Sequence, residues 1–316
     1  MSIIFFTFAL YYLINYFFII MKINYLTILC ASAVLAGCAS NNSNQNAQNV
    51  DSTASAATET KTESQELDDG IDWEKPLYSL DEKGDTSDVY QYNAAGKLVK
   101  HSNYYEKHLM SGSKYYYDAA GNDTSCVSFF VDESQELPCG GFSKKFDSQN
   151  RVIAYEMDGE SDSESATYRY EGNKKITESE SFLSECIYKE VIETYFDADG
   201  NDTLVINKSQ LVREASDTDP DYSVKPDIFT TRNTYITING KRVLKSSVTN
   251  KETKDGKKFV FSKEDNEYDQ YGRLTKNICV SDQGNGDPAT TDTYTYSYDG
   301  NCKTDSYGYK TYYAKK

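Results

Sequence analysis

The 316-residue chain has few of the side chains that usually carry chemistry. Its two histidines are His101 and His108, and it has one tryptophan and five prolines. Two histidines with no carboxylate pattern beside them fall short of the three or four ligands a zinc site takes. No Gly-rich phosphate loop, serine nucleophile elbow or zinc-spaced cysteine cluster is present either. Positive charge is scarce, with 33 Lys and Arg against 49 Asp and Glu and a net charge of -16. Such a chain repels phosphate backbones and anionic lipid headgroups, so no nucleic-acid partner is expected and the body should stand off a membrane. Hydrophobic residues make up 38%, below the roughly 45–50% of an ordinary domain, so a thick sealed core is not expected. No cofactor and no metal are expected, and the protein is expected not to be an enzyme.

What the chain does have begins with an export signal. Met21-Lys22 is a short positive region, and Ile23 to Val34 is a mostly apolar run of signal-peptide length. It ends in Leu35-Ala36-Gly37-Cys38. Small residues before a cysteine let the backbone enter a narrow protease cleft, and the thiol can take a lipid. The motif resembles the bacterial lipobox, which implies cleavage before Cys38 and lipid attachment to it. Residues 21–37 are then the signal peptide. Residues 1–20 form a second apolar run with no basic residue before it, expected to be an over-extended gene start or an extra membrane helix. Ala39 follows the lipidated cysteine where an Asp would retain the protein in the inner membrane. The resemblance thus implies the cell envelope, with the outer membrane favoured.

From 38 to 70 the sequence is Ser, Asn, Gln, Thr, Ala and acidic residues with hardly a large apolar side chain. It cannot bury enough surface to offset the entropy of ordering, so a flexible lipidated linker is expected. From 71 to 316 the composition changes, and the chain's 28 tyrosines recur with threonine in alternating runs. That is strand chemistry.

One pattern repeats through this second part: an aromatic, Asp or Asn, two residues, then Gly. It appears as Tyr92-Asn93-Ala94-Ala95-Gly96, Tyr117-Asp118-Ala119-Ala120-Gly121, Phe196-Asp197-Ala198-Asp199-Gly200 and Tyr268-Asp269-Gln270-Tyr271-Gly272. Degenerate copies start at Phe146, Tyr170, Ile238 and Tyr298, the last two carrying Gly240 and Gly300. An Asp or Asn side chain accepts from the backbone two residues on, and Gly takes a positive φ at no steric cost. Each copy therefore predicts a tight hairpin turn between strands. The copy Tyr268-Asp269-Gln270-Tyr271-Gly272-Arg273-Leu274 resembles the YD repeat of Rhs-type bacterial proteins. The resemblance implies a meandering antiparallel sheet, without the length or cargo of a toxin shell. The fold expected for 71–316 is all-β: a long sheet of repeated hairpins, about 14–16 strands, strongly twisted or partly closed, since open sheets rarely exceed about ten strands.

Export places the remaining cysteines in an oxidising compartment. Cys126 with Cys139, and Cys279 with Cys302, flank turns and are expected to pair, with free thiols as the alternative and Cys186 left over. Asp197 to Asp202 and the run Asp217, Asp219, Asp221 resemble calcium loops but lack the sixth-position Gly and twelfth-position Glu. The expected function is a lipid-anchored, non-enzymatic binding or structural module whose tyrosine rows meet a glycan or a protein. Alternatives are an enzyme on envelope glycans, with Glu156 and Asp158 as candidates, and an accessory of a Rhs-type secretion system.

Overall fold

The computed structural model describes residues 68–159, 162–214 and 219–316. The expectations for 1–20, the signal, Cys38 with its lipobox, most of the linker and Asp217 lie outside these residues.

Among the described residues the fold is wholly strand and turn. The strands are β1 (Ile71–Leu80), β2 (Thr86–Tyr92), β3 (Leu98–Tyr105), β4 (His108–Tyr117), β5 (Asp123–Asp132) and β6 (Gln135–Phe146). Then come β7 (Val152–Gly159), β8 (Ser163–Glu171), β9 (Lys174–Leu183), β10 (Cys186–Phe196), β11 (Asp202–Arg213) and β12 (Asp227–Ile238). The last are β13 (Lys241–Glu252), β14 (Lys258–Tyr268), β15 (Leu274–Ser281), β16 (Thr290–Asp299), β17 (Cys302–Asp305) and β18 (Lys310–Lys315).

Each strand pairs antiparallel with the next, and β18 pairs antiparallel with β1, from Ile71 opposite Lys315 to Leu80 opposite Lys310. The meandering antiparallel sheet is as the repeats predict. The expected count and partial closure need correcting: the 18 strands close into a complete barrel. Closure removes the two long edges that an open sheet of this width would expose.

Because the chain goes up and down, every second turn lies at the same end. The repeat turns at 93–97, 118–122, 147–151, 171–173, 197–201, 239–240, 269–273 and 300–301 all fall on one rim, here the repeat rim. Ile71 and Lys315 lie there too, so the chain enters and leaves the barrel at this rim. The other described connections, including 219–226 and 282–289, form the distal rim.

The turn chemistry is as the motif requires. In the Asp118 copy, Asp118 N–H donates to Asn122 O and Gly121 N–H to Asp118 O, both at 3.0 Å. The Asp118 carboxylate also accepts from Asn122 N at 2.8 Å. Asn93, Asp147, Asp197 and Asp269 act in the same way. Gly96, Gly121, Gly200 and Gly272 sit at φ between 74 and 85°, and Gly240 and Gly300 at 74 and 56°. A Cβ is disfavoured in that region.

The structure also explains the tyrosine that opens the motif and the basic residue that follows its glycine. A register shift precedes most of these turns and leaves a carbonyl off the ladder. The next tyrosine round the ring donates to it: Tyr117 Oη to Leu98 O at 2.8 Å, Tyr170 to Val152 O at 2.9 Å, and Tyr298 to Leu274 O at 2.8 Å. Tyr92 and Tyr268 make the same bond to Pro76 O and Leu244 O, at 2.7 and 2.6 Å. The basic residue of one copy lies over the same tyrosine of the next, as with Arg151 over Tyr170 at 4.5 Å and Arg273 over Tyr298 at 4.4 Å. The repeats that open on Tyr117, Tyr170 and Tyr298 are thus latched to their neighbours by both a hydrogen bond and a cation–π contact. Tyr117→Phe is expected to cost about 1 kcal/mol, the net worth of one hydrogen bond. A melt should show its Tm roughly 2–4 °C lower, while Tyr116→Phe, on the outer side, leaves it unchanged.

Burial separates the two faces of the wall. Along β8, Ser165, Thr167, Arg169 and Glu171 are exposed, whereas Ala166, Tyr168 and Tyr170 between them are covered. In β14, Lys263, Asp265 and Glu267 alternate in the same way with Glu264, Asn266 and Tyr268. The covered rows share register round the ring and form the concave, inner face. They are covered but not sealed, since among the described residues no side chain is less than 2% exposed. A ring of 18 strands at about 4.8 Å spacing and the usual tilt has a backbone radius on the order of 18 Å, too wide for side chains to meet across it. The interior is a lumen.

Candidate functional site: the inner wall

Even-numbered strands each bring an aromatic or long side chain to the inner face beside the repeat rim. Tyr92, Tyr117, Tyr170, Tyr268 and Tyr298 form the outermost row there. One step deeper lie Tyr90, Tyr115, Tyr168, Asn266 and Tyr296, by the alternation of the strands. This end of the lumen is a tyrosine girdle. Partial burial pushes the phenols of Tyr90, Tyr92, Tyr168 and Tyr268 up to about 12, with nearby carboxylates adding to the effect at Tyr90, Tyr92, Tyr168 and Tyr268. All remain neutral donors in any physiological range. The sequence showed the tyrosine rows but not that they face inward.

Polar groups fill the middle of the wall. On β14 and β15, Asn277 Nδ2 donates to Glu264 Oε1 and Asn266 Oδ1, each at 2.8 Å. Asn266, 3% exposed, donates in turn to Leu244 O at 3.2 Å. On β2 and β3, His101 Nε2 lies 2.9 Å from Asp88 Oδ1, and its ring stacks on Tyr90 at 4.6 Å and 9°. Burial pushes the Asp88 carboxyl up, but the hydrogen bonds from His101 and Ser87 outweigh it and its pKa is lowered.

Ser113 is the residue opposite His101 on β4, so Asp88, His101 and Ser113 stand in a row. A nucleophilic triad needs a hydrogen bond from serine to histidine. Ser113 Oγ instead lies 3.4 Å from Ser128 Oγ. The row holds the acid and base partners without an activated nucleophile.

Glu164 on β8 and Glu190 on β10 are both carboxylates of the inner wall. Burial raises the pKa of Glu164, and the charge of Glu190 adds to the shift. Ionised Glu164 therefore costs stability above its folded-state pKa. That cost fades as pH falls through the folded pKa and is gone below the unfolded value near 4.5. Glu164→Gln is expected to raise Tm at neutral pH and to have no effect at pH ~4. An equal gain at both pH values would show that ionisation is not the cause.

The other sequence candidates are scattered. Glu156 and Asp158 alternate with the inward Tyr155 and Met157, so they lie on the outer face and outside the lumen. His108 is exposed at the distal turn after Tyr105 and does not meet His101. Asp221 accepts from Ser223 N and Oγ at 2.9 and 2.7 Å, a local turn and not a cage. Among the described residues no group of three or more His, Cys, Asp or Glu could hold a metal ion.

The expected disulfides are corrected: Cys126, Cys139, Cys186, Cys279 and Cys302 are all free. Cys126 stands opposite Phe142, while Cys139 falls in the register shift between Pro138 and Gly140. Cys279 stands opposite Asp292 on β16, and Cys302 is on the far side of that strand, opposite Asp299. Symmetry about a turn placed each pair on neighbouring or next-neighbouring strands, but not at facing positions.

The outer face bears on where the barrel can stand. Arg169, Glu171, Glu178, Glu180, Lys263 and Glu267 are exposed along it. A barrel that crosses a bilayer presents an outward apolar band about 25 Å tall, and strands with charges at alternate outward positions do not supply one. Among the described residues no helix is long and apolar enough to cross a membrane.

No protein-family model and no curated protein matches the chain. Among solved structures, a porin-like protein from Bacteroides vulgatus ATCC 8482 is similar over 71% of this chain and 99% of its own, at 12% identity and a TM-score of 0.34. The TcdB2-TccC3-TEV structure is similar over 71% of this chain and 16% of its own, at 10% identity and a TM-score of 0.19. The Photorhabdus luminescens Tc holotoxin pore with a TccC3 substitution covers 70% and 16%, at 10% identity and a TM-score of 0.15. This chain thus spans about a sixth of the two Tc toxin chains. At these scores the likenesses carry no argument about activity or location.

Proposed function

We propose that this is an exported, lipid-anchored envelope protein whose water-filled barrel binds an extended polymer, a glycan or a peptide, along its tyrosine-rich inner wall without acting on it chemically. The observation that carries the reading is the wall itself. Its charged outer face suits water, and its inner face is covered but not filled by the protein's own side chains. Tyrosine girdles offer flat, amphipathic area to sugar rings or peptide planes. The amides and carboxylates of Asn266, Asn277, Glu264 and Asp88 supply hydrogen-bonding groups beside them.

The lipobox supplies the membrane attachment, and the net charge of -16 argues against nucleic acid as the polymer. The barrel then stands beside the membrane rather than in it. No metal or cofactor enters this reading.

The test places a reporter thiol on the inner wall. Ser128→Cys lies on the inner row of β5 opposite Ser113, and should react with a small maleimide in the folded protein. Oligomers of envelope glycans, and separately extended peptides, are then screened for slowing that reaction and raising Tm. A polymer that does both supports lumen binding. Polymers that raise Tm without protecting Ser128→Cys would place the site outside the lumen. Cleavage of a glycan, abolished by Glu164→Gln or Glu190→Gln, would favour the enzymatic alternative, for which these two inward carboxylates are the specific observation.

A further inference from the structure

The barrel wall contains a tall step beside β16. β15 ladders the whole distal half of β16, from Lys276 opposite Thr295 to Ser281 opposite Thr290. On its other side, β17 reaches only Tyr296 to Asp299 of β16. The reason is that β17 is four residues long and turns back at once, with Gly308 N–H donating to Asp305 O at 3.1 Å. Thr290 to Thr295 therefore have no strand on that side among the described residues, and no other backbone hydrogen bond replaces it. At about 3.3 Å per residue the open edge is roughly 20 Å long. In an antiparallel sheet alternate residues turn both N–H and C=O to each side, so every second residue here offers both groups to the open edge.

Natural edges are usually blunted by lysine, proline, a bulge or a covering loop. This one reads Thr-Thr-Asp-Thr-Tyr-Thr, with a single charge, no proline and residues that favour strands. Thr290 to Thr293 and Thr295 are exposed. Tyr294 is half-buried and meets the Tyr307 ring at 6.2 Å, which firms the foot of the step.

We propose that this edge is a strand-addition site that takes an extended, basic peptide segment of a partner protein. Backbone pairing supplies the affinity of such sites, and alternate side chains supply the selection. Here Asp292 sits mid-edge, Asp287 lies in the loop at its head and Asp305 at its foot. A lysine or arginine opposite Asp292 and a β-branched or aromatic residue opposite Tyr294 complement the inward row. The outward row, Thr291, Thr293 and Thr295, pairs with threonine or valine. A second copy of the chain is disfavoured by its own charge of -16. The site lies away from the tyrosine girdle at the repeat rim and does not rest on lumen binding.

The test uses the full chain in detergent micelles and a short fluorescent peptide alternating Lys with Thr and Val. Two further versions carry N-methyl groups on alternate backbone nitrogens, one version for each phase. Binding by anisotropy should come with slowed hydrogen exchange at 290–295. Methylation in the phase that faces the edge should weaken binding at least about tenfold, because it removes the donors that pair. Asp292→Asn should weaken it less, and added salt should weaken it in both proteins. Equal binding of both methylated peptides, or protection outside 290–295, would overturn the proposal. So would protection of 290–295 that rises with protein concentration in the absence of peptide, which would make the occupant a second copy.

Discussion

Gly112→Ala is expected to destabilise the barrel by about 3 kcal/mol, near the upper end for overpacking a tight site. Gly112 on β4 lies beneath the ring of Phe129 on β5, which is 3% exposed and the least exposed aromatic of the outer wall. A Cβ at 112 would lie 2.6 Å from Phe129 Cζ and would also strike the His101 carbonyl oxygen. The ring cannot simply swing away. Lys100 and Lys114 stand over it at 5.2 and 5.4 Å, and Glu136 holds both lysines at 2.6 Å. Moving the ring would therefore undo an outer-wall cluster that spans β3 to β6.

For a domain of this size the loss corresponds to a fall in Tm of roughly 6–12 °C. Gly112→Ala combined with Phe129→Leu should lose less than the sum of the two single changes, because the smaller side chain relieves the clash. Additive losses would show that the ring and the glycine do not share the space. The control is Gly172→Ala, where nothing lies within 4 Å and only the positive φ of 61° opposes the methyl group. That change should cost about 1 kcal/mol.

Cys38→Ser is expected to release the body from the membrane fraction altogether. A single buried CH2 contributes ~0.8 kcal/mol, so the loss of two or more acyl chains leaves no anchor. The outward rows of β8, β9 and β14 carry charges at alternate positions and supply no substitute there. Fractionation of cells carrying each form, followed by protease treatment of intact cells, gives the answer. Cleavage of wild type in intact cells places the body outside, and protection places it in the periplasm. Retention of Cys38→Ser in the membrane fraction would refute the lipid-anchor reading and would direct attention to residues 1–20.

Much of the barrel is legible in the chain because its rules are local. An Asp or Asn three residues before a Gly makes its own hydrogen-bonded turn, so the repeat rim could be read off residue by residue from Tyr92 to Gly300. Period-two alternation likewise gave the strands. The signal fades where the local cue is incomplete. Asp81 to Gly84, Thr253 to Gly256 and Asp305 to Gly308 close turns with the same two backbone bonds on the distal rim. Leu80, Glu252 and Thr304 precede them in place of an aromatic, and it is the inner latch, not the turn, that needs the aromatic.

The latch illustrates the same division. Tyr, Gly, Arg and Leu of the motif stand together in sequence, yet the tyrosine of one copy serves the leucine carbonyl of the copy before it, as Tyr298 does for Leu274. The pattern is local, and its purpose lies between repeats.

The sequence by itself determined that the part from 71 to 316 is built of strands, where half of its turns lie, and that tyrosine covers one face. Tertiary structure decided that Ile71 meets Lys315, which face turns inward, that Cys279 and Cys302 stay apart, and that Thr290 to Thr295 lack a second neighbour. The physical reason is register. A turn is fixed by a few adjacent backbone bonds, whereas closure and wall height depend on the stagger accumulated over 18 strands and their bulges. One residue more or less in any bulge shifts every partner beyond it, and no short stretch of sequence records that sum.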